Sequence, residues 1–181
     1  MQSSSKIWGI TVHECLLKYP CDRYMETFHD TYYRGVTIHA DPKNIFRWIC
    51  QMKVAPYSYD WIDNFGRRSP QKLIPGLDKL EIGQKIMFIF QLIDFEQNKH
   101  ITIRLNKIVP KFFGDTVITY RIITESHDKC RLLVKILVRY PYPKRFFGML
   151  LSRILPFGDL IMMRRQLLNF KKLSEQTENS E

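Results

Sequence analysis

The sequence holds little of what metal sites, disulfide scaffolds or nucleophilic enzymes are built from. Its 181 residues include four cysteines, Cys15, Cys21, Cys50 and Cys130, with no C-x-x-C pair among them. They are too few and too scattered for a disulfide framework and read as reduced thiols in a cytoplasmic protein. The five histidines, His13, His29, His39, His100 and His127, show neither H-x-x-x-H nor H-E-x-x-H spacing. Metal binding is therefore not expected, and no cofactor is implied. No nucleophile motif or paired acid stands out, so catalytic residues are left unassigned. Met1 to Asp30 lacks the continuous apolar stretch of a signal peptide. The longest apolar run, Phe146 to Met163, is interrupted by Ser152, Arg153, Pro156 and Asp159 and makes a poor membrane span. Acidic residues are in deficit, 18 against 28 basic, for a net charge of +10. That surplus permits nucleic acid or an anionic membrane as a partner. Without a zinc-finger spacing or RNP-type string, nucleic-acid binding is not expected.

What is present is the composition of a folded chain: 45% hydrophobic residues, 13% aromatics and eight glycines. The length suits a single domain over 1–181. The polar ends, Ser3-Ser4-Ser5 within a 1–18 extension and Ser174 to Glu181, lack the periodic apolar residues needed to dock and are expected to be loose.

Tyr32 to Ala40 alternates, with Val36, Ile38 and Ala40 on one face, and reads as a strand. Asp41-Pro42 then starts a helix, Asp suiting the N-cap and Pro the first helical position. Ile45, Trp48, Ile49 and Met52 make its apolar stripe. Val54 to Lys79 is rich in Pro, Gly, Asp, Asn and Ser and should be mostly loop, ordered by its aromatics, with a turn of helix at Asp60 to Asn64. Four strands are predicted next, Lys85 to Phe95, His100 to Val109, Thr116 to Thr124 and Arg131 to Tyr140, joined by short turns including Phe113-Gly114-Asp115 and Ser126-His127-Asp128-Lys129. Short turns favour an antiparallel meander. By parity the concave face should carry Val36, Ile38, Phe88, Phe90, Ile101, Ile103, Tyr120, Ile122, Val134, Ile136 and Val138, with Arg104 and Lys135 on the other side. Met87, Ile89 and Ile93 are the alternative set in the second strand, because both of its faces are apolar. A last helix, Lys144 to Leu173, is expected to bend at Pro156-Phe157-Gly158 and to bury Leu160, Met163, Leu167 and Phe170.

Several short strings stand out on that frame: Tyr19-Pro20-Cys21-Asp22, Ala40-Asp41-Pro42, Gln51-Met52, Tyr57-Ser58-x-Asp60-x-Ile62-x-Asn64, Gly66-Arg67-x-Ser69, Leu80-x-x-Gly83-x-x-Ile86 and Met163-Arg164-Arg165-Gln166-Leu167-Leu168. In this order, over Tyr19 to Leu173, the chain resembles the SRPBCC superfamily of START-like and polyketide-cyclase-like proteins. Cys21 stands where that pattern has glycine, and Lys53 to Pro56 replaces a longer Gly- and Arg-containing stretch. The resemblance implies an α+β helix-grip (START/Bet v 1-like) fold, a curved antiparallel sheet wrapped around a long C-terminal helix. It further implies an internal cavity for a hydrophobic or amphipathic small molecule, lipid- or polyketide-like. A cyclase- or dehydratase-type enzyme using the same cavity, with Tyr120 or Asp60 as proton donor, is the alternative. A third reading is a peripheral lipid-transfer protein docking transiently on anionic membrane through the basic final helix, with its Lys144, Arg145, Arg153, Arg164, Arg165, Lys171 and Lys172.

The expected ligand contacts are Trp48, Tyr57, Tyr59, Trp61, Arg67, Phe88, Phe90, Ile103, Tyr120, Ile136 and Met163. Each has a plainer role open to it. Tyr57, Tyr59 and Trp61 fit a cavity entrance or plugs that hold the loop to the sheet. Asp60, Asp63 and Asn64 suit local capping of backbone N–H groups. Arg67 suits an acidic headgroup or a solvated surface. The Tyr120 hydroxyl, in an apolar chamber, needs a hydrogen-bond partner, from ligand or protein.

Overall fold

The computed structural model describes residues 5–107, 114–126, 128–140 and 146–178, with only the backbone of 146–155. Val109, Phe113, His127, Lys144, Arg145, Ser3, Ser4, residues 179–181 and the side chain of Arg153, all named above, lie outside what is described.

Among the described residues seven strands form one sheet in the order β1-β2-β7-β6-β5-β4-β3. They are β1 (Ile7–Trp8), β2 (Asp30–Ile38), β3 (Lys85–Ile86), β4 (Phe90–Glu96), β5 (His100–Leu105), β6 (Asp115–Ser126) and β7 (Lys129–Arg139). Every neighbouring pair is antiparallel except β1 with β2. The helices are α1 (Val12–Cys15), α2 (Pro42–Cys50), α3 (Asp60–Asp63) and α4 (Phe146–Glu178). Asp41 caps α2 as its sequence predicts, accepting from Lys43 N at 2.7 Å.

The period-two reading of β2, β5, β6 and β7 holds. Ile38, Ile101, Ile103, Tyr120, Ile122, Val134, Ile136 and Val138 share a core with α2 and α4. Val36 packs against that core. Val117, Leu133 and Leu137 form a second cluster behind the sheet with Tyr19, Cys21 and Met25. On that outer side Lys135 pairs with Asp22 at 2.6 Å, and Arg104 pairs with Asp115. The Tyr19-Pro20-Cys21-Asp22 string is thereby a clamp: Cys21 N donates to Thr119 Oγ1, while Asp22 accepts from both Tyr19 N and Lys135.

Three expectations are corrected. The strand from Lys85 to Phe95 is two strands of a hairpin, because Met87 and Phe88 both take positive φ (46° and 62°) and turn the chain. Phe88 therefore leaves the concave face and is 51% exposed, while Met87 and Leu92 face the core. A bulge between Leu92 and Asp94 shifts the register again and sends Ile93 to the outer cluster. Secondly, the tail from Ser174 to Glu178 is not loose. It continues α4, and its side chains cap the β2–α2 corner: Glu175 accepts from His39 N, Glu178 from Asp41 N and Asn44 Nδ2, and Thr177 Oγ1 from Trp48 Nε1. Polar residues dock here through hydrogen bonds, which an apolar period does not register. Thirdly, the 1–18 extension supplies β1 and α1, and α1 is closed by a Thr11/Glu14 capping box. As the sequence predicts, α4 is one helix that carries Pro156 within it.

The long loop is ordered from beneath. Gln51 is fully buried at the end of α2; its Nε2 donates to Tyr57 Oη and Lys72 O, and its Oε1 accepts from Ile74 N at 2.8 Å. Replacing it strands the buried Tyr57 hydroxyl and releases the loop backbone at Lys72 and Ile74. Gln51→Ala should lower unfolding free energy by about 1–3 kcal/mol in urea titrations, and a change within error would show that the loop is not anchored there.

Candidate functional site

A cavity of about 430 Å³ opens between the middle of α4, strand β6, the β3–β4 turn and the 56–65 segment. Its wall is mainly Ile62, Phe65, Met87, Phe88, Ile89, Phe90, Ile118, Met162 and Met163, with Tyr120, Gln166, Ser58, Asp63 and Asp159 as polar members. The segment is clamped onto α4 by Gln166, whose Nε2 donates to Pro56 O at 2.5 Å, and by Asn169, whose Nδ2 donates to Tyr57 O at 2.7 Å. Tyr57 accepts this with a positive φ of 59°. Phe65, at φ 53°, joins Met87 and Phe88 as further left-handed residues on the cavity wall. Side chains in that region store strain of about 1–3 kcal/mol each, held by surrounding structure and typical of functional loops.

Of the expected contacts, the structure brings Phe88, Phe90, Tyr120 and Met163 to this cavity. Trp48 and Tyr57 are instead plugs: Trp48 lies edge-on to Tyr57 at 6.1 Å, and Tyr57 packs on Phe170 at 5.4 Å. Ile103 and Ile136 are buried in the same core, outside the lining. The concave face is thus packed solid at one end and hollow at the other. Tyr59 and Trp61 border a separate 260 Å³ cleft with Arg165, Asn169 and Lys172, and Arg67 is exposed in the loop. A larger cleft of 760 Å³ lies between the strand ends, where Arg104 and Arg139 are both paired to Asp115.

The electrostatic centre of the cavity was missed from sequence. Asp159, 23% exposed at the wall, holds the fully buried Arg34 through Oδ2 and Nη2 at 2.8 Å. Arg34 also donates to Ser5 O and Tyr33 O. Burial raises the Asp159 carboxyl to about 6, outweighing the Arg34 charge and hydrogen bond that pull the other way. The signals were in the periods: Arg34 shares parity with Val36 and Ile38, and Asp159 stands four residues before Met163 in the buried stripe of α4. Tyr120 donates its hydroxyl proton to Gln166 Oε1 at 2.7 Å, and burial pushes its acidity well below that of an ordinary tyrosine. Asp60 accepts from Ser69 N and Oγ, so it braces the loop, as its capping alternative held. In this structure the Tyr120 proton goes to Gln166 and both Asp60 oxygens accept from Ser69.

No protein-family model and no curated protein matches the sequence. Solved structures do match. A hypothetical protein from Helicobacter pylori superposes with a TM-score of 0.55 at 10% identity, over 87% of this chain and 95% of that one. The Zhui aromatase/cyclase from Streptomyces sp. R1128 superposes with a TM-score of 0.53 at 11% identity, over 81% and 94%. The chain has the helix-grip fold. The strand order and the long helix gripped by the curved sheet are those of that fold. At such identities the likeness speaks for the helix-grip fold alone, and the chemistry has to be argued from the cavity.

A proton is bound more tightly by folded Asp159 than by an unfolded aspartate, whose pKa is ~3.9. Ionising it therefore costs stability as pH rises from that value to about 6. The stability of the parent protein relative to Asp159→Asn should fall across this window and level off above it. A difference independent of pH between the two proteins would sink the assignment.

Proposed function

We propose that the protein binds a hydrophobic or amphipathic small molecule, lipid- or polyketide-like, in the helix-grip cavity. The observation that carries this reading is the cavity itself: about 430 Å³, above the ~300 Å³ lower end of small-molecule sites, with a mainly apolar wall and two carboxylates, Asp63 and Asp159, at its edge. Both polar groups best placed at the wall offer acceptors. The Asp159 oxygen not engaged by Arg34 is one, and the Tyr120 oxygen, its proton committed to Gln166, is the other. A ligand whose polar end is a hydrogen-bond donor, such as a hydroxyl, suits them better than a carboxylate. The proposal includes a single domain, a cytoplasmic location and transient contact with an anionic membrane; it invokes no nucleic acid. Among the described residues no helix is long and apolar enough to cross a membrane.

A second reading, a cyclase- or dehydratase-type enzyme, is favoured by one observation. A carboxyl near 6 facing an apolar cavity is suited to proton transfer near neutral pH. It moves the donor from Tyr120 and Asp60 to Asp159.

Native mass spectrometry of freshly purified protein, with extraction of whatever co-purifies, should find an apolar or donor-ended adduct. An environment-sensitive fluorophore should bind at micromolar concentration, and Met162→Trp, which puts an indole into the hollow end, should abolish that binding while leaving the circular dichroism unchanged. Equal binding by Met162→Trp would refute the cavity as the site.

A further inference from the structure

The mouth of the cavity is ringed by apolar side chains that face water. Phe65 is 85% exposed, and Ile62, Phe88 and Ile89 are about half exposed; all four line the cavity, so they form one patch. Phe65 and Phe88 meet edge-on across it, ring centroids 6.2 Å apart. Trp61, 75% exposed, adjoins this patch on α3 and borders the neighbouring cleft, which shares Ser58 with the cavity. Scattered exposed apolar residues need no explanation, but a contiguous aromatic patch around an opening does.

Among the described residues the charged side chains exposed beside the patch are basic, while the carboxylates of Asp60, Asp63 and Asp159 line the cleft and the cavity. Arg67 and Arg68 are exposed in the same loop, and Arg165 and Lys172 stand in the cleft beside Trp61. Among the described residues none of these four makes an ion pair, whereas Arg104, Arg131, Lys135 and Arg139 on the outer face all do. The acids of the same segment are turned inward: Asp60 onto Ser69 and Asp63 onto Ser58. An outward surface of Trp, Phe and Ile flanked by unpaired cations is complementary to one environment in both respects, the interface of an anionic bilayer. There aromatic rings sit at headgroup depth and Lys or Arg meets lipid phosphate.

We propose that the cavity mouth docks on anionic membranes, with Trp61, Phe65 and Phe88 entering the interfacial layer and Arg67, Arg68, Arg165 and Lys172 meeting lipid phosphates. This places the contact on the 61–68 segment and the β3–β4 turn rather than along the basic final helix as a whole. The opening then faces the bilayer, and an apolar ligand passes between cavity and membrane without crossing water. The proposal rests on the ligand-binding reading for its purpose, but the docking itself needs only the surface.

The test is flotation of the full chain with vesicles of phosphatidylcholine alone and of equal parts phosphatidylcholine and phosphatidylglycerol, alongside fluorophore binding in solution. The parent should float with the anionic vesicles, less as salt is added, and barely with the neutral ones. Phe65→Ser with Phe88→Ser, and separately Arg68→Glu with Lys172→Glu, should each lower vesicle affinity on the order of tenfold or more. The charge-reversed protein, altered only outside the cavity wall, should keep its fluorophore affinity, which shows that it is folded. Brominated lipid should quench the parent's tryptophan emission and lose that effect in Trp61→Phe, which still floats. Undiminished flotation of the charge-reversed protein, or retention on a heparin column without flotation, would overturn the proposal. Fluorophore binding without flotation would end the docking reading and leave the cavity reading standing; flotation without fluorophore binding would do the reverse.

Discussion

The ion pair between Arg34 and Asp159 joins the second strand to the final helix beside the hollow part of the concave face. Apolar packing closes the other end, where Leu167, Phe170 and Leu173 meet Trp48 and Tyr57. Where the cavity interrupts that packing, the charge pair and the Gln166 and Asn169 clamps hold helix to sheet and loop. Such a pair is not there for stability alone. Burial opposes the charge on both partners, raising the Asp159 carboxyl and lowering the Arg34 guanidinium against their mutual attraction, and buried ion pairs are in general weak sources of stability. What it does provide is a fixed carboxylate oxygen facing an apolar space.

That arrangement ties the loop to the site. Gln51 organises the 54–79 stretch from below, Gln166 and Asn169 fix its first residues from the side, and Asp60 and Asp63 consume local donors within it. The strained backbone at Tyr57, Phe65, Met87 and Phe88 is sustained by these contacts. The residues left facing outward are the aromatics and the basic side chains, among them Arg165 over the Tyr59 ring and Phe65 against Phe88. The mouth of the cavity and the docking surface are in this sense two sides of one constraint.

Much of the fold was legible because its signals are local. Strand parity placed Ile101, Tyr120, Val134 and Ile136 inside and Arg104 and Lys135 outside, and the Asp41-Pro42 start of α2 stands where its capping chemistry requires. Legibility failed where an apolar run lacked a polar face: from Lys85 to Phe95 no alternation says that the chain turns at Met87 and Phe88. It failed again at the C-terminus, where Glu175, Thr177 and Glu178 dock through hydrogen bonds to partners more than a hundred residues away.

The sequence by itself therefore determined which faces of the strands and helices are buried, since burying a periodic apolar stripe is favourable whatever lies opposite. Only the tertiary structure decided whether the enclosed space is core or cavity, and which buried polar group is charged. Tyr57 and Trp48 became packing and Phe88 became rim because volume depends on how elements from distant parts of the chain meet. Arg34 and Asp159, 125 residues apart, acquired their character from each other and from the loss of water around them, and neither term can be read from the neighbours of either residue along the chain.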